Sequence, residues 1–115
     1  MLDPNIRFTT YEYGEWGNPN SKIYYDYMKT YSPYENVKAQ EYPHMLIAGG
    51  YFDTRVNYWE PAKFAATIRH HKTGTNDVLL QIQGAGHGGG TGRQTEIQEA
   101  AFKNAFLLSK LGITE

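Results

Sequence analysis

The sequence contains no cysteine. That removes disulfides, thiolate nucleophiles and cysteine-ligated zinc, but it fixes no compartment, since cytosolic and exported proteins can both lack cysteine. No apolar run approaches the ~20 residues of a membrane span, and residues 1–10 (MLDPNIRFTT) do not resemble a signal peptide. The expectation is a cytoplasmic protein, with a periplasmic one left open, and no membrane partner. Excess charge of either sign is also missing. Eleven basic residues against twelve acidic ones give a formal net charge of -1, which offers no electrostatic footprint for nucleic acid. Serine is scarce: Ser21, Ser32 and Ser109 are the only ones, and none stands in the G-x-S-x-G elbow of a hydrolase nucleophile.

What is present suits one small globular domain. The chain has 115 residues, 40% hydrophobic and 20% charged, with ten tyrosines concentrated in the first sixty positions. Residues 1–21 read as irregular or as short helical turns, broken by Asp3-Pro4, Gly14, Gly17 and Asn18-Pro19-Asn20. Residues 22–31 suit a short helix that stops before Ser32-Pro33, because the residue ahead of a proline is pushed out of the α region. Residues 34–42 read as a loop.

The pattern then sharpens. Met45-Leu46-Ile47-Ala48, ended by Gly49-Gly50, reads as a buried parallel strand. Residues 57–71 suit a helix with Asn57 as N-cap, Pro61 in the first turn and Gly74 as terminator. Residues 78–82 form a second apolar run, Gly84 to Gly92 a glycine-rich loop, and residues 94–110 a last helix with Ile97, Ala101, Ala105 and Leu108 on one face. Strand, helix, strand, helix predicts an α/β unit with parallel strands and right-handed crossovers. Two strands make a poor sheet, so the unit is expected to lack sheet partners upstream.

Ligand chemistry in such a sheet sits beyond the carboxyl ends of the strands. Asp53 follows the first strand and His87 the second, 34 positions apart. A carboxylate beside an imidazole is the orienting half of a Ser-His-Asp triad, and acid before histidine is the order of α/β-hydrolases. Gly84-Ala85-Gly86-His87-Gly88-Gly89 also satisfies G-x-G-x-x-G, but the further strand and acidic residue of a dinucleotide site do not follow it. The four histidines indicate metal only weakly, since His70 and His71 point to different sides of a helix. No metal and no organic cofactor is implied.

Longer strings carry a resemblance. Tyr25-Asp26-Tyr27-Met28, Tyr31-Ser32-Pro33-Tyr34-Glu35-Asn36-Val37, Tyr42-Pro43-His44, Tyr58-Trp59-Glu60-Pro61-Ala62-Lys63 and Ala85-Gly86-His87-Gly88-Gly89 resemble the oligopeptidase B branch of the prolyl oligopeptidase family of serine peptidases. The likeness runs from Met1-Leu2-Asp3 to Phe106-Leu107-Leu108. It implies that residues 1–115 are the C-terminal portion of an α/β-hydrolase catalytic domain with an incomplete sheet. Asp53 then matches the catalytic acid, His87 the general base, Arg55 an arginine that contacts the substrate backbone, and Glu12 a glutamate that binds a basic P1 side chain. Carboxylate pairing with Arg or Lys is the physical basis of that preference. The second acidic residue of the pocket falls at Gly14, with Glu15 beside it. The implied parent cleaves short peptides after Arg or Lys, with its nucleophile and a β-propeller upstream. The alternatives are a non-catalytic module that binds or self-associates through its tyrosines or a free sheet edge, and another α/β-hydrolase such as an esterase.

Overall fold

The computed structural model describes residues 2–113. Met1, at the head of the resemblance, lies outside them, as do Thr114 and Glu115. The described residues form two units that divide between Lys38 and Ala39.

In the first unit, turns lead to a short helix α1 (Tyr13–Trp16) and a longer one, α2 (Lys22–Tyr31). α2 ends where Pro33 demands: Ser32 is extended, with φ -60° and ψ 119°. The Asn36 amide then donates to the carbonyls of Lys29 and Ser32 at 2.7 and 2.8 Å, satisfying acceptors that the helix end leaves open. α2 buries no residue. Tyr27 and Tyr31, one turn apart on its surface, meet edge to face at 5.4 Å.

The second unit holds β1 (Met45–Gly50), α3 (Trp59–His71), β2 (Val78–Gln83) and α4 (Arg93–Leu111). The strands are parallel and in continuous register from Met45↔Val78 to Gly50↔Gln83. Gly49 and Gly50 therefore do not end β1 as expected; they are its last two residues. Their missing side chains permit close approach. A Cβ on Gly49 would lie 2.8 Å from Pro61 Cγ, and one on Gly50 would lie 2.4 Å from the Ala85 carbonyl oxygen.

α3 starts one position later than expected. Tyr58, not Asn57, is the cap residue, and the Asn57 side chain does not cap the helix; instead its N–H donates to the Glu60 carboxylate at 3.3 Å. The helix also ends before Gly74 acts on it. Lys72 is already extended (φ -62°, ψ 139°), because it is drawn into a parallel bridge with Gln40. Ala65 and Ile68, one turn apart, are buried with Val78 and Ala85. Fully burying one aliphatic side chain is worth ~1.5–3 kcal/mol, so Ile68, 1% exposed, is the centre of this small core.

α4 spans the expected residues to within one position at each end. Its proposed apolar face is not buried: Ile97 is 51% and Leu108 44% exposed, and the helix buries no residue. A two-stranded sheet is too narrow to cover that face. Polar contacts hold the helix instead, Glu99 to the backbone at Gly90 and Lys110 to Asp77. Its end is a glycine cap: Gly112 is left-handed (φ 72°), and Ile113 N–H donates back to Leu108 at 3.0 Å.

Candidate active site

The parallel pairing of β1 and β2 carries on into the loops beyond them. Tyr51 N–H donates to the Gln83 carbonyl at 2.7 Å, and Phe52 N–H to that of Ala85 at 3.0 Å. The loop after β1 is thus laced to the loop after β2 before either chemical group is reached.

Asp53 closes its own loop. Its N–H donates to the Gly50 carbonyl at 3.2 Å. Its Oδ1 accepts from the N–H groups of Arg55 and Val56 at 2.8 and 2.9 Å, an Asx-type turn. That leaves Oδ2, which faces His87 Nδ1 at 2.9 Å. His87 stands at the corner of a turn in which Gly89 N–H donates to the Gly86 carbonyl at 3.1 Å. The Asp53 side chain keeps only 8% of its surface exposed, against 47% for His87. The acid is the inner partner and the imidazole the outer one.

Burial works against the Asp53 charge. The N–H groups of Val56 and Arg55, then the hydrogen bond and charge of His87, outweigh it and hold the carboxyl below its ordinary value of 3.8. Near neutral pH the carboxylate is ionised and accepts only. Nδ1 of a neutral His87 must then carry the proton, and the Nε2 lone pair is left available as a base.

Arg55 lies two residues beyond Asp53 on the same exposed loop. Glu12 lies in the first unit, where it is the N-cap residue of α1, half-buried and with no capping bond from its side chain. Gly14 sits within α1, and a Cβ there would meet no atom within 4 Å. Ser21 and Ser32 flank α2. Ser109 lies near the end of α4, beside the Lys110–Asp77 pair at the start of β2, which is the opposite end of the sheet from His87. Among the described residues, no group of three or more His, Cys, Asp or Glu is arranged to hold a metal ion, and no helix is long and apolar enough to cross a membrane.

Two features escaped sequence reasoning. Tyr51 stacks on Tyr58 at 4.7 Å and meets Phe52 edge to face at 5.2 Å, bracing the Asp53 loop against the start of α3. The aromatic pairs on either side of Asp53 were the available signal. The second is Glu99, whose bond to Gly90 joins the glycine-rich loop to the helix nine positions on.

Parallel strands with flanking helices, and an acid–histidine pair beyond the strand ends, define this chain as part of an α/β-hydrolase fold. The sequence profile of the prolyl oligopeptidase family matches residues 1–114. Dipeptidyl aminopeptidase BI of Pseudoxanthomonas mexicana and protease 2 of Moraxella lacunata are each 50% identical over 114 residues, covering 98% of this chain and 16% of their own. The structure of oligopeptidase B from Leishmania major matches with a TM-score of 0.94 at 46% identity, covering 98% of this chain and 16% of that one. The chain belongs to the prolyl oligopeptidase family, and it spans about one sixth of the length of these relatives.

Proposed function

We propose that this chain is the C-terminal part of a serine peptidase, carrying the acid and the general base of a Ser-His-Asp triad whose serine lies elsewhere in a longer polypeptide. The observation that supports it most is the 2.9 Å contact between Asp53 Oδ2 and His87 Nδ1 at the strand ends. In this reading His87 Nε2 takes the proton of the serine hydroxyl as its oxygen attacks the scissile carbonyl. The same proton then passes to the leaving amine as the C–N bond breaks, leaving an acyl-enzyme. Water attacks that ester by the same route, and the serine regains its proton. Asp53 stays ionised throughout and fixes the ring.

The substrate is a short peptide cleaved after Arg or Lys. Glu12 pairs with the basic side chain and Arg55 contacts the peptide backbone, roles that rest on the family likeness, which runs through both positions. The 115-residue chain by itself lacks a nucleophile for this reaction and turns over no ester or amide. A panel of Arg-, Lys-, Leu- and Asp-containing peptides, each with free and blocked N-termini, tests the specificity on the complete polypeptide. Cleavage restricted to positions after Arg and Lys, with either N-terminus, supports it. Release of dipeptides regardless of residue type, or turnover by the 115-residue chain, contradicts it.

A second reading, self-association, is favoured by one observation: each strand of the described sheet is paired on one edge only. Sedimentation of the chain alone would return a monomer if that reading is wrong.

A further inference from the structure

We infer that Glu99 is a positioning residue, holding the C-terminal arm of the His87 loop; the inference rests on the triad reading above. The loop from Gly84 to Gly92 contains six glycines in nine residues. Glycine has the most backbone freedom to lose on folding, so such a segment does not keep an imbedded side chain in place by its own propensity. His87 must be held by its attachments.

Those attachments are few and lie on both sides of it. On one side Phe52 N–H binds the Ala85 carbonyl and Asp53 binds the imidazole. On the other, three residues past His87, the Gly90 N–H donates to Glu99 Oε1 at 2.8 Å. The acceptor is a carboxylate, and hydrogen bonds to ionised acceptors are roughly twice as strong as neutral ones. Glu99 projects from the second turn of α4, and Lys110 pins the far end of that helix to Asp77. The loop is therefore tied to a helix whose far end is held by an ion pair. The fit is close: a Cβ on Gly90 would lie 2.2 Å from Thr95 Cγ2 and 2.8 Å from Glu99 Oε1. Neither contact touches the reacting atoms, so Glu99 acts through the loop alone.

The test compares Glu99→Ala with Glu99→Gln in the complete polypeptide, with His87→Ala alongside. Glutamine keeps a carbonyl acceptor for the Gly90 N–H; alanine does not. Misplacing a catalytic group by an ångström or so costs about tenfold to a hundredfold. The expected result is a fall in kcat of about that size for Glu99→Ala, with KM little changed, and kcat within about twofold of the parent for Glu99→Gln. Wild-type kcat in Glu99→Ala, an effect on KM alone, or equal losses in both variants would overturn the inference. If Glu99→Ala does not fold, a kcat loss in a folded Glu99→Gln overturns it by itself. His87→Ala separates the two claims: activity retained there sinks the triad reading, whereas activity lost there but intact in Glu99→Ala sinks only the role of Glu99.

Discussion

Replacing Asp53 with asparagine is the most revealing perturbation, because its outcome follows from counting hydrogen bonds. The carboxylate accepts three: from Arg55 and Val56 N–H at Oδ1, and from His87 at Oδ2. Asparagine has one acceptor oxygen and one NH2. Turning the NH2 toward the backbone sets it against two donors; turning it toward His87 sets it against one. The second orientation wins and leaves the loop intact. The imidazole then accepts at Nδ1, its proton moves to Nε2, and the lone pair that would take the serine proton is gone. The same exchange in another serine peptidase lowers kcat by about 10^4-fold through the wrong tautomer. We expect a loss of about that order here, with KM little altered, since substrate binding does not use the acid. Initial rates on an Arg-containing peptide, measured on the complete polypeptide, give both constants. An Asp53→Asn enzyme within about tenfold of the parent would refute the tautomer argument.

Three further outcomes follow. Ile68→Ala removes the most buried large side chain, at 1% exposure, and should cost the chain about 2–5 kcal/mol in denaturant unfolding, whereas Leu111→Ala, at 71% exposure, should stay within about 0.5 kcal/mol. Gly14→Glu introduces a carboxylate at a position where a Cβ meets nothing within 4 Å; if the proposed pocket for a basic side chain includes this position, kcat/KM for Arg and Lys substrates should rise relative to Leu substrates, and an unchanged ratio would count against that pocket. Asp53 and Asp77 are both held below 3.8, Asp77 chiefly by its hydrogen bond to Lys110 and that residue's charge. A carboxyl depressed in the folded state contributes stability above its unfolded value and loses it as pH falls through the folded one. Stability should therefore fall less steeply with acid in Asp53→Asn than in the parent as pH drops through and below 3.8, while well above it the two curves run parallel, with the variant the less stable.

The strands and the meeting of Asp53 with His87 could be read from the sequence because their signals are local. The apolar runs around Leu46 and Leu79 mark the strands, Pro33 fixes the end of α2, and the placing of Asp53 and His87 just past two parallel strands puts them on one sheet edge. Glu12 and Arg55 came from family resemblance; no local rule distinguishes Glu12 from a solvated loop carboxylate. What was missed depends on contacts between segments. Gly49 and Gly50 look like a strand terminator until Pro61 and Ala85 are seen to press against them. The end of α3 is set by the Gln40 bridge, not by Gly74. The apolar stripe on α4 lies open, because two strands cannot cover it. Glu99 carried no signal, because a carboxylate in mid-helix looks like any solvated residue until the loop folds back onto it.

His87 is proposed here as the general base of a peptidase triad. The most direct test is the kcat of His87→Ala in the complete polypeptide. Loss of the histidine of such a triad lowers kcat by about 10^6-fold, so residual activity near background is expected on Arg and Lys peptides. Activity within about tenfold of the parent would contradict it.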